Sequence, residues 1–172
     1  YIKKKYYVGL PQKLISKKKQ SKVFNGKKIL FIYAGSQGSV PLTKKILLIL
    51  EKINDKHFYN IKIVIQSPKN MIVMLKKIFI KLNIEYEIQE FFINIEEILS
   101  ITSLAITRAG SGTINDIIKY KVPSIIIPLP HSIYNHQYYN AQYLLAKKAS
   151  ILIEENNFDN DKTIGILNKL FD

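Results

Sequence analysis

Apolar residues in this chain fall into short, near-continuous runs separated by longer stretches with helical spacing. Lys28 to Ala34 (KILFIYA) is the first strong run, and it ends at Gly35-Ser36-Gln37-Gly38. A helix pattern follows, with Ser39 as its expected N-cap and Pro41 in the first turn, where the missing N–H has no helical partner to lose. Ile61 to Gln66 (IKIVIQ) predicts a second strand. Pro68 then opens a helix whose Met71, Leu75, Ile78 and Leu82 recur at i, i+4, i+7 and i+11. Ile84 to Phe91 predicts a third strand, Glu96 to Ser100 a short helix, and Leu104 to Thr107 a fourth strand. Gly110-Ser111-Gly112 begins another helix, and Ser124 to Pro128 (SIIIP) is the fifth strand. Asn135 to Lys148 reads as helix, Ser150 to Ile153 as a sixth strand, and a closing helix starts at about Asp159.

Strands built from near-continuous Ile, Leu and Val belong to parallel sheets covered on both faces. The alternation therefore predicts an α/β fold with a doubly wound, mostly parallel, Rossmann-like sheet. A length of 172 residues suits one domain of roughly 100–200 residues. Residues 26–172 are expected to form it. Residues 1–25 are less regular, with a short strand at Tyr6-Tyr7-Val8 and a lysine-rich connector behind it. The start, Tyr1-Ile2-Lys3, has neither an initiator Met nor a signal-peptide apolar core, as expected of a piece of a longer chain. No run approaches the ~18–20 apolar residues that span a bilayer.

Composition narrows the chemistry. Without cysteine, disulfide frameworks and thiolate metal sites are excluded. The net charge is +13, and every basic residue except Arg108 is lysine. Such a balance suits nucleic acid, an anionic membrane surface or a phosphate-bearing substrate. Apart from Lys3-Lys4-Lys5 and Lys17-Lys18-Lys19 the lysines are spread evenly, and abundant Lys, Ile and Asn with few Gly and Arg is a compositional bias. No basic helix carries interleaved base-contact residues, so nucleic acid is not an expected partner.

In an open parallel sheet, ligands bind beyond the carboxyl ends of the strands. Two glycine-marked loops lie there: Gly35-Ser36-Gln37-Gly38 and Gly110-Ser111-Gly112-Thr113. Glycine lets backbone approach a ligand, and the free N–H groups of the helix turn that follows attract phosphate, although glycine after a strand also serves a plain tight turn. Asp116 can complement its helix dipole or accept hydrogen bonds from a ribose diol. Gly35 to Gly38 matches neither the dinucleotide G-x-G-x-x-G nor a P-loop, which disfavours NAD enzymes and P-loop NTPases. The segment Pro130 to Ala141, crowded with His, Asn, Gln and Tyr, has the composition of a recognition loop. His131 and His136 have no third ligand nearby, and Asp159-Asn160-Asp161 sits at a helix start where acidic residues are ordinary. No metal and no cofactor is expected.

Taken together, these motifs resemble the MurG family of bacterial cell-wall glycosyltransferases. Leu30 to Gly38 (LFIYAGSQG) is similar to that family's Gly-Gly-Ser-Gln-Gly loop, with Ala34 for the first glycine. Thr107 to Ile117 (TRAGSGTINDI) resembles its Arg-Ser/Ala-Gly-x-x-Thr-x-x-Glu-Ile segment, and His136 to Ala141 (HQYYNA) its Gln/His-Gln-Tyr-x-Asn-Ala motif. Gln66-Ser67 and Phe91-Phe92-Ile93 fall in the right order between them, and Gly9 to Lys13 is similar to Gly-Asn-Pro-x-Arg.

The resemblance implies the carboxyl-terminal, donor-binding half of a two-domain GT-B enzyme. Such an enzyme transfers N-acetylglucosamine from its UDP donor to lipid I, giving lipid II. Carried over residue by residue, the substrate-binding set is Lys13, Gly35, Ser36, Gln37, Gly38, Ile93, Ser111, Gly112, Thr113, Asp116 and Gln137. Ser36 would meet the diphosphate, the Ile93 backbone would read uracil, and Ser111 to Asp116 would hold phosphate and ribose. Gln137 would contact sugar hydroxyls, and Lys13 would lie near the nucleotide. Asp116 stands where the family has Glu, Lys13 where it has Arg, and His136 where many members have Gln. No catalytic residue is assigned, because lipid I and the presumed base belong to an amino-terminal domain. The implied location is peripheral, on the cytoplasmic face of the bacterial inner membrane. The competing readings are a stand-alone donor-binding subunit that docks on a separate acceptor half, and a basic nucleic-acid module.

Overall fold

The computed structural model describes residues 23–35, 38–53, 59–146, 148, 150–158 and 161–171. Their strands are β1 (Val23–Phe24), β2 (Lys27–Tyr33), β3 (Ile61–Gln66), β4 (Glu85–Gln89), β5 (Leu104–Thr107), β6 (Ser124–Ile126) and β7 (Ser150–Leu152). Their helices are α1 (Val40–Lys52), α2 (Lys69–Lys81), α3 (Ile95–Ile101), α4 (Ser111–Tyr120), α5 (His136–Ala146) and α6 (Asp161–Phe171). The six strands β2 to β7 pair in parallel in the order β4-β3-β2-β5-β6-β7, and β1 joins β2 antiparallel.

Burial explains the layering. Along β2, Ile29, Leu30, Phe31 and Ile32 are each at most 2% exposed, so both faces of the strand need cover. One face packs Leu30, Ile32, Ile63 and Ile65 against Leu42, Ile46, Leu75, Phe79 and Leu167, from α1, α2 and α6. The other packs Ile29, Phe31 and Ala105 against Leu99, Ile114, Ile117 and Leu144, from α3, α4 and α5. Phe31 meets Phe92 edge-on at 5.8 Å and stacks with Tyr33 at 5.5 Å between ring centroids. Helices on both faces of a parallel sheet make the doubly wound arrangement that the apolar runs predict.

The differences from the expected elements have local causes. β1 lies in the stretch assigned to the connector and is paired with β2 through Asn25-Gly26. Both turn residues are left-handed, at φ 51° and 79°, as a two-residue hairpin demands. The third strand is trimmed to Glu85–Gln89. Asn135, which reads as the start of the fifth helix, instead ends a 3-10 turn over Ile133–Asn135. Its φ of 54° is incompatible with the extended N-cap conformation, and α5 begins one residue later. The short strand expected at Tyr6-Tyr7-Val8 lies outside the described residues.

Candidate functional site

The strand order reverses direction between β2 and β5, which are adjacent and parallel. Tyr33 and Thr107 are register partners at their carboxyl ends, and the Thr107 hydroxyl donates to the Tyr33 carbonyl. Beyond this pair the chain departs in two directions, toward α1 on one face and α4 on the other. The divergence opens a crevice at the sheet edge, the place where doubly wound folds take their ligands.

On the β2 side the loop is held by Gly35, Gly38 and Gln66. Gly35 and Gly38 are left-handed, at φ 91° and 67°. The Gly38 N–H donates to the Gly35 carbonyl at 3.0 Å, and the same carbonyl accepts from Gln66 Nε2 at 2.9 Å. A Cβ on Gly38 would lie 2.7 Å from Cδ of Pro68. The amino terminus of α1 is largely satisfied from within. Ser39 Oγ accepts from the Leu42 N–H at 3.4 Å, and Pro41 has no N–H to give.

On the β5 side the helix terminus is open. The N-cap of α4 is Gly110, without a side-chain cap. The first helical bond runs from the Ile114 N–H to the Gly110 carbonyl at 2.9 Å, so Ser111, Gly112 and Thr113 have N–H groups with no acceptor inside the helix. Ser111 and Gly112 are solvent-exposed, whereas Thr113 is buried, near the Tyr33 phenol. The two glycine loops are therefore unequal: α4, rather than α1, is the stronger anion-attracting terminus.

Asp116 lies half-buried on α4, in its second turn, close enough to Tyr33 for its charge to matter there. Burial pushes its carboxyl above the usual aspartate range; Lys119 opposes that shift and Glu96 adds to it. Lys119 is itself paired with Glu96 at 3.3 Å, and Glu96 also accepts from the Tyr120 hydroxyl at 3.0 Å. Burial likewise raises the Tyr33 phenol, with Thr113 opposing and Asp116 adding to the shift.

The third wall comes from the segment after β6. Gln137 Oε1 accepts from the Ala109 N–H at 3.2 Å and from the Leu129 N–H at 3.0 Å. Two backbone donors fix that end of the side chain as oxygen, and the amide N–H₂ group points the other way, as a donor. Asn140 Nδ2 donates to the Ala109 carbonyl at 3.0 Å. The α5 start is thus tied to the loop that precedes α4. His131, Tyr134 and Asn135 are all left-handed, concentrating backbone strain in the segment the sequence marks for recognition. A cleft of about 380 Å³ opens there between Pro128, His131, Tyr138 and Glu154.

Among the expected site residues, Gly35, Gly38, Ser111, Gly112, Thr113, Asp116 and Gln137 lie in the segments that follow the carboxyl ends of β2, β5 and β6. Ile93 lies in the turn after β4, further along the same sheet edge, with its side chain 88% exposed. Lys13, Ser36 and Gln37 lie outside the described residues. His136 Nδ1 is bonded to the Ile133 carbonyl at 2.7 Å. Among the described residues there is no group of three or more His, Asp or Glu placed to hold a metal, and no helix long and apolar enough to cross a membrane.

Arg108 and Glu155 are functional-site neighbours that the sequence reading passes over. Arg108 is only 4% exposed, and its Nη1 lies 2.7 Å from Glu155 Oε2. The available signals are that Arg108 stands at the arginine of the segment that Thr107 to Ile117 resembles, and that it is a lone arginine in a chain that otherwise uses lysine.

The glycosyltransferase family 28 C-terminal domain matches residues 29–172. The UDP-N-acetylglucosamine--N-acetylmuramyl-(pentapeptide) pyrophosphoryl-undecaprenol N-acetylglucosamine transferase of Rickettsia typhi is 40% identical over 134 residues, or 77% of this chain and 35% of that protein. The transferase of the same name from Rickettsia felis is 36% identical over 144 residues, 81% of this chain and 40% of that protein. The crystal structure of Acinetobacter baumannii MurG superposes with a TM-score of 0.74 at 19% identity, covering 85% of this chain and 43% of that one. The chain spans less than half the length of these relatives, and its fold is that of the carboxyl-terminal half of a GT-B glycosyltransferase.

Proposed function

The chain belongs to the glycosyltransferase family 28 C-terminal domain family, and from that premise we propose that it binds UDP-N-acetylglucosamine as the donor half of an inverting N-acetylglucosaminyltransferase. The observation that carries this reading is the uncapped amino terminus of α4, with Asp116 one turn further on, facing the glycine loop across the β2–β5 crevice. The N–H groups of Ser111, Gly112 and Thr113 suit a diphosphate, because they add hydrogen bonds to the positive end of the helix dipole. Asp116 accepts the ribose hydroxyls, and its raised pKa reflects a carboxylate partly withdrawn from water.

The other contacts follow the sheet edge. Gly35, Ser36, Gln37 and Gly38 close over the diphosphate, and the backbone of Ile93 reads uracil. Gln137 directs its remaining amide donor at the sugar hydroxyls, and Lys13 supplies a point charge near the nucleotide. Residues 26–172 act as the nucleotide-sugar domain, with residues 1–25 leading toward an acceptor domain. In the complete enzyme that second domain holds lipid I, and transfer of N-acetylglucosamine from the donor bound here releases UDP and gives lipid II, on the cytoplasmic face of the membrane.

Calorimetric titration of the chain with UDP and UDP-N-acetylglucosamine tests the reading. Binding at millimolar or better affinity is expected. Ser36→Asp should abolish it by setting like charge against the diphosphate. Undiminished binding in that variant would remove the loop from the site, and no binding by the parent chain would remove the donor reading altogether.

A further inference from the structure

We infer that Arg108 and Glu155 are a positioning pair for donor binding, holding the amino terminus of α1 and the segment after β6 in one fixed relation. This rests on the donor-binding reading above and adds two residues to which that reading gives no role. The Arg108 guanidinium touches several chain segments at once. Nη1 donates to the Ile127 carbonyl at 3.3 Å and the Pro128 carbonyl at 3.2 Å, beyond the end of β6, and pairs with Glu155 Oε2 at 2.7 Å. Nη2 donates to Ser39 Oγ at 3.1 Å, the atom that also caps α1.

Each contact leads to the candidate site. Ser39 directly follows Gly38, the last residue of the glycine loop. Pro128 directly precedes Leu129, whose N–H holds Gln137 Oε1. Arg108 itself adjoins Ala109, whose backbone holds both Gln137 and Asn140. A displacement of the guanidinium therefore moves the diphosphate side and the sugar side of the crevice relative to each other.

Stability alone does not account for the pair. Arg108 and Glu155 are 4% and 7% exposed, and ion pairs this deep are often replaceable by packed apolar residues without loss of stability. Arg108 Nε is also buried without a partner among the described residues, so the charge is incompletely satisfied. An apolar substitute would fill the space but would not set the direction of four hydrogen-bonding groups. Lysine offers a single ammonium where the planar fork serves Ser39 and Glu155 simultaneously. That requirement explains an arginine here in a chain whose other basic residues are lysines.

The test compares UDP affinity by calorimetry, melting temperature, and the backbone amide signals of Ser39 and Leu129 in the 172-residue chain. Arg108→Lys should fold, lose about tenfold or more in UDP affinity, and shift both amide signals together. The double variant Arg108→Met with Glu155→Leu should melt close to or above the parent, yet bind UDP as weakly as Arg108→Lys. A purely structural pair would not separate affinity from stability in this way. Should the double variant bind like the parent, the positioning role is overturned while the donor reading stands. Absence of UDP binding in the parent overturns the donor reading and this role with it. If either of these variants fails to fold, Glu155→Gln, which keeps shape and an acceptor, decides: parent-like affinity and unmoved Ser39 and Leu129 signals overturn the pair, and their joint change supports it.

Discussion

Gln66, the last residue of β3, donates from Nε2 to the carbonyl of Gly35 at 2.9 Å and so fastens the glycine loop of one strand to the end of its neighbour. Gln66 is 1% exposed, whereas Gly35 is only partly buried, so the bond joins a buried donor to a loop at the surface. Gln66→Leu keeps much of the volume and removes the donor. The Gly35 carbonyl keeps the Gly38 N–H, so the variant should lose about 0.5–1.5 kcal/mol of stability, the net worth of one hydrogen bond, and should bind UDP more weakly. Urea unfolding beside a UDP titration measures both; unchanged values would mean the loop is held without this bond.

Gly38 has no room for a side chain. Its φ of 67° disfavours any Cβ, and that Cβ would meet the rigid ring of Pro68 at 2.7 Å. Gly38→Ala should therefore destabilise the domain by about 1–3 kcal/mol. Gly112 provides the contrast, since nothing lies within 4 Å of a Cβ there and its backbone is helical. Gly112→Ala should be neutral or stabilising by up to about 1 kcal/mol. Thermal unfolding of the two variants side by side checks the difference, and equal losses would contradict it.

Asp116 should trade stability for binding. Its folded-state pKa is raised by burial, so its favourable contribution to stability is present below the ordinary aspartate value and is lost as pH rises through the raised value. Asp116→Asn should gain stability on the parent over that acidic window and keep the gain at neutral pH. Binding runs the other way, because only the ionised carboxylate accepts from both ribose hydroxyls. The parent's UDP affinity should fall as pH drops through the raised pKa, and the Asn variant should lack that step. At neutral pH the variant should bind about 1.5–3 kcal/mol more weakly, as expected for a hydrogen bond to a charged group. A 2′-deoxy donor penalised equally in both proteins would reduce Asp116 to a helix-dipole residue.

The isolated chain should transfer no sugar. An inverting transfer needs a base within about 2.6–3.2 Å of the acceptor proton, and the acceptor held in line. The candidate site assembles donor-holding groups, and its nearest histidines, His131 and His136, lie in the segment after β6 that is expected to contact the donor sugar. His136 has one ring nitrogen already engaged by the Ile133 carbonyl. A labelled-donor assay with lipid I, with and without an added MurG amino-terminal half, tests this. Turnover only after complementation is the expected result, and turnover by the chain alone would refute it. Exposed Ile93, Leu129, Ile133 and Tyr134 along the same edge should also make the chain self-associate, measurable by sedimentation.

Much of this protein follows from local order along the chain. The apolar runs of β2, β3 and β5 can only be strands covered on both faces, and the glycines after β2 and β5 mark where backbone must turn tightly. Periodicity likewise announces α2 through Met71 and Leu75, because a 3.6-residue repeat survives whatever the helix packs against. Asn135 misleads for the opposite reason: a good capping residue is also a good left-handed residue, and only the path of the loop selects between them. The inequality of the two helix termini is half legible, since Ser39 is the expected cap of α1, and only the structure sets Gly110 as the N-cap of α4 with no side-chain bond. The pairing of Arg108 with Glu155 lies furthest from the sequence. Forty-seven positions separate them, and their charges meet only because β5 and β7 flank β6 and bring the loops that follow them to one edge, where exclusion of water makes direction and distance matter more than proximity in the chain.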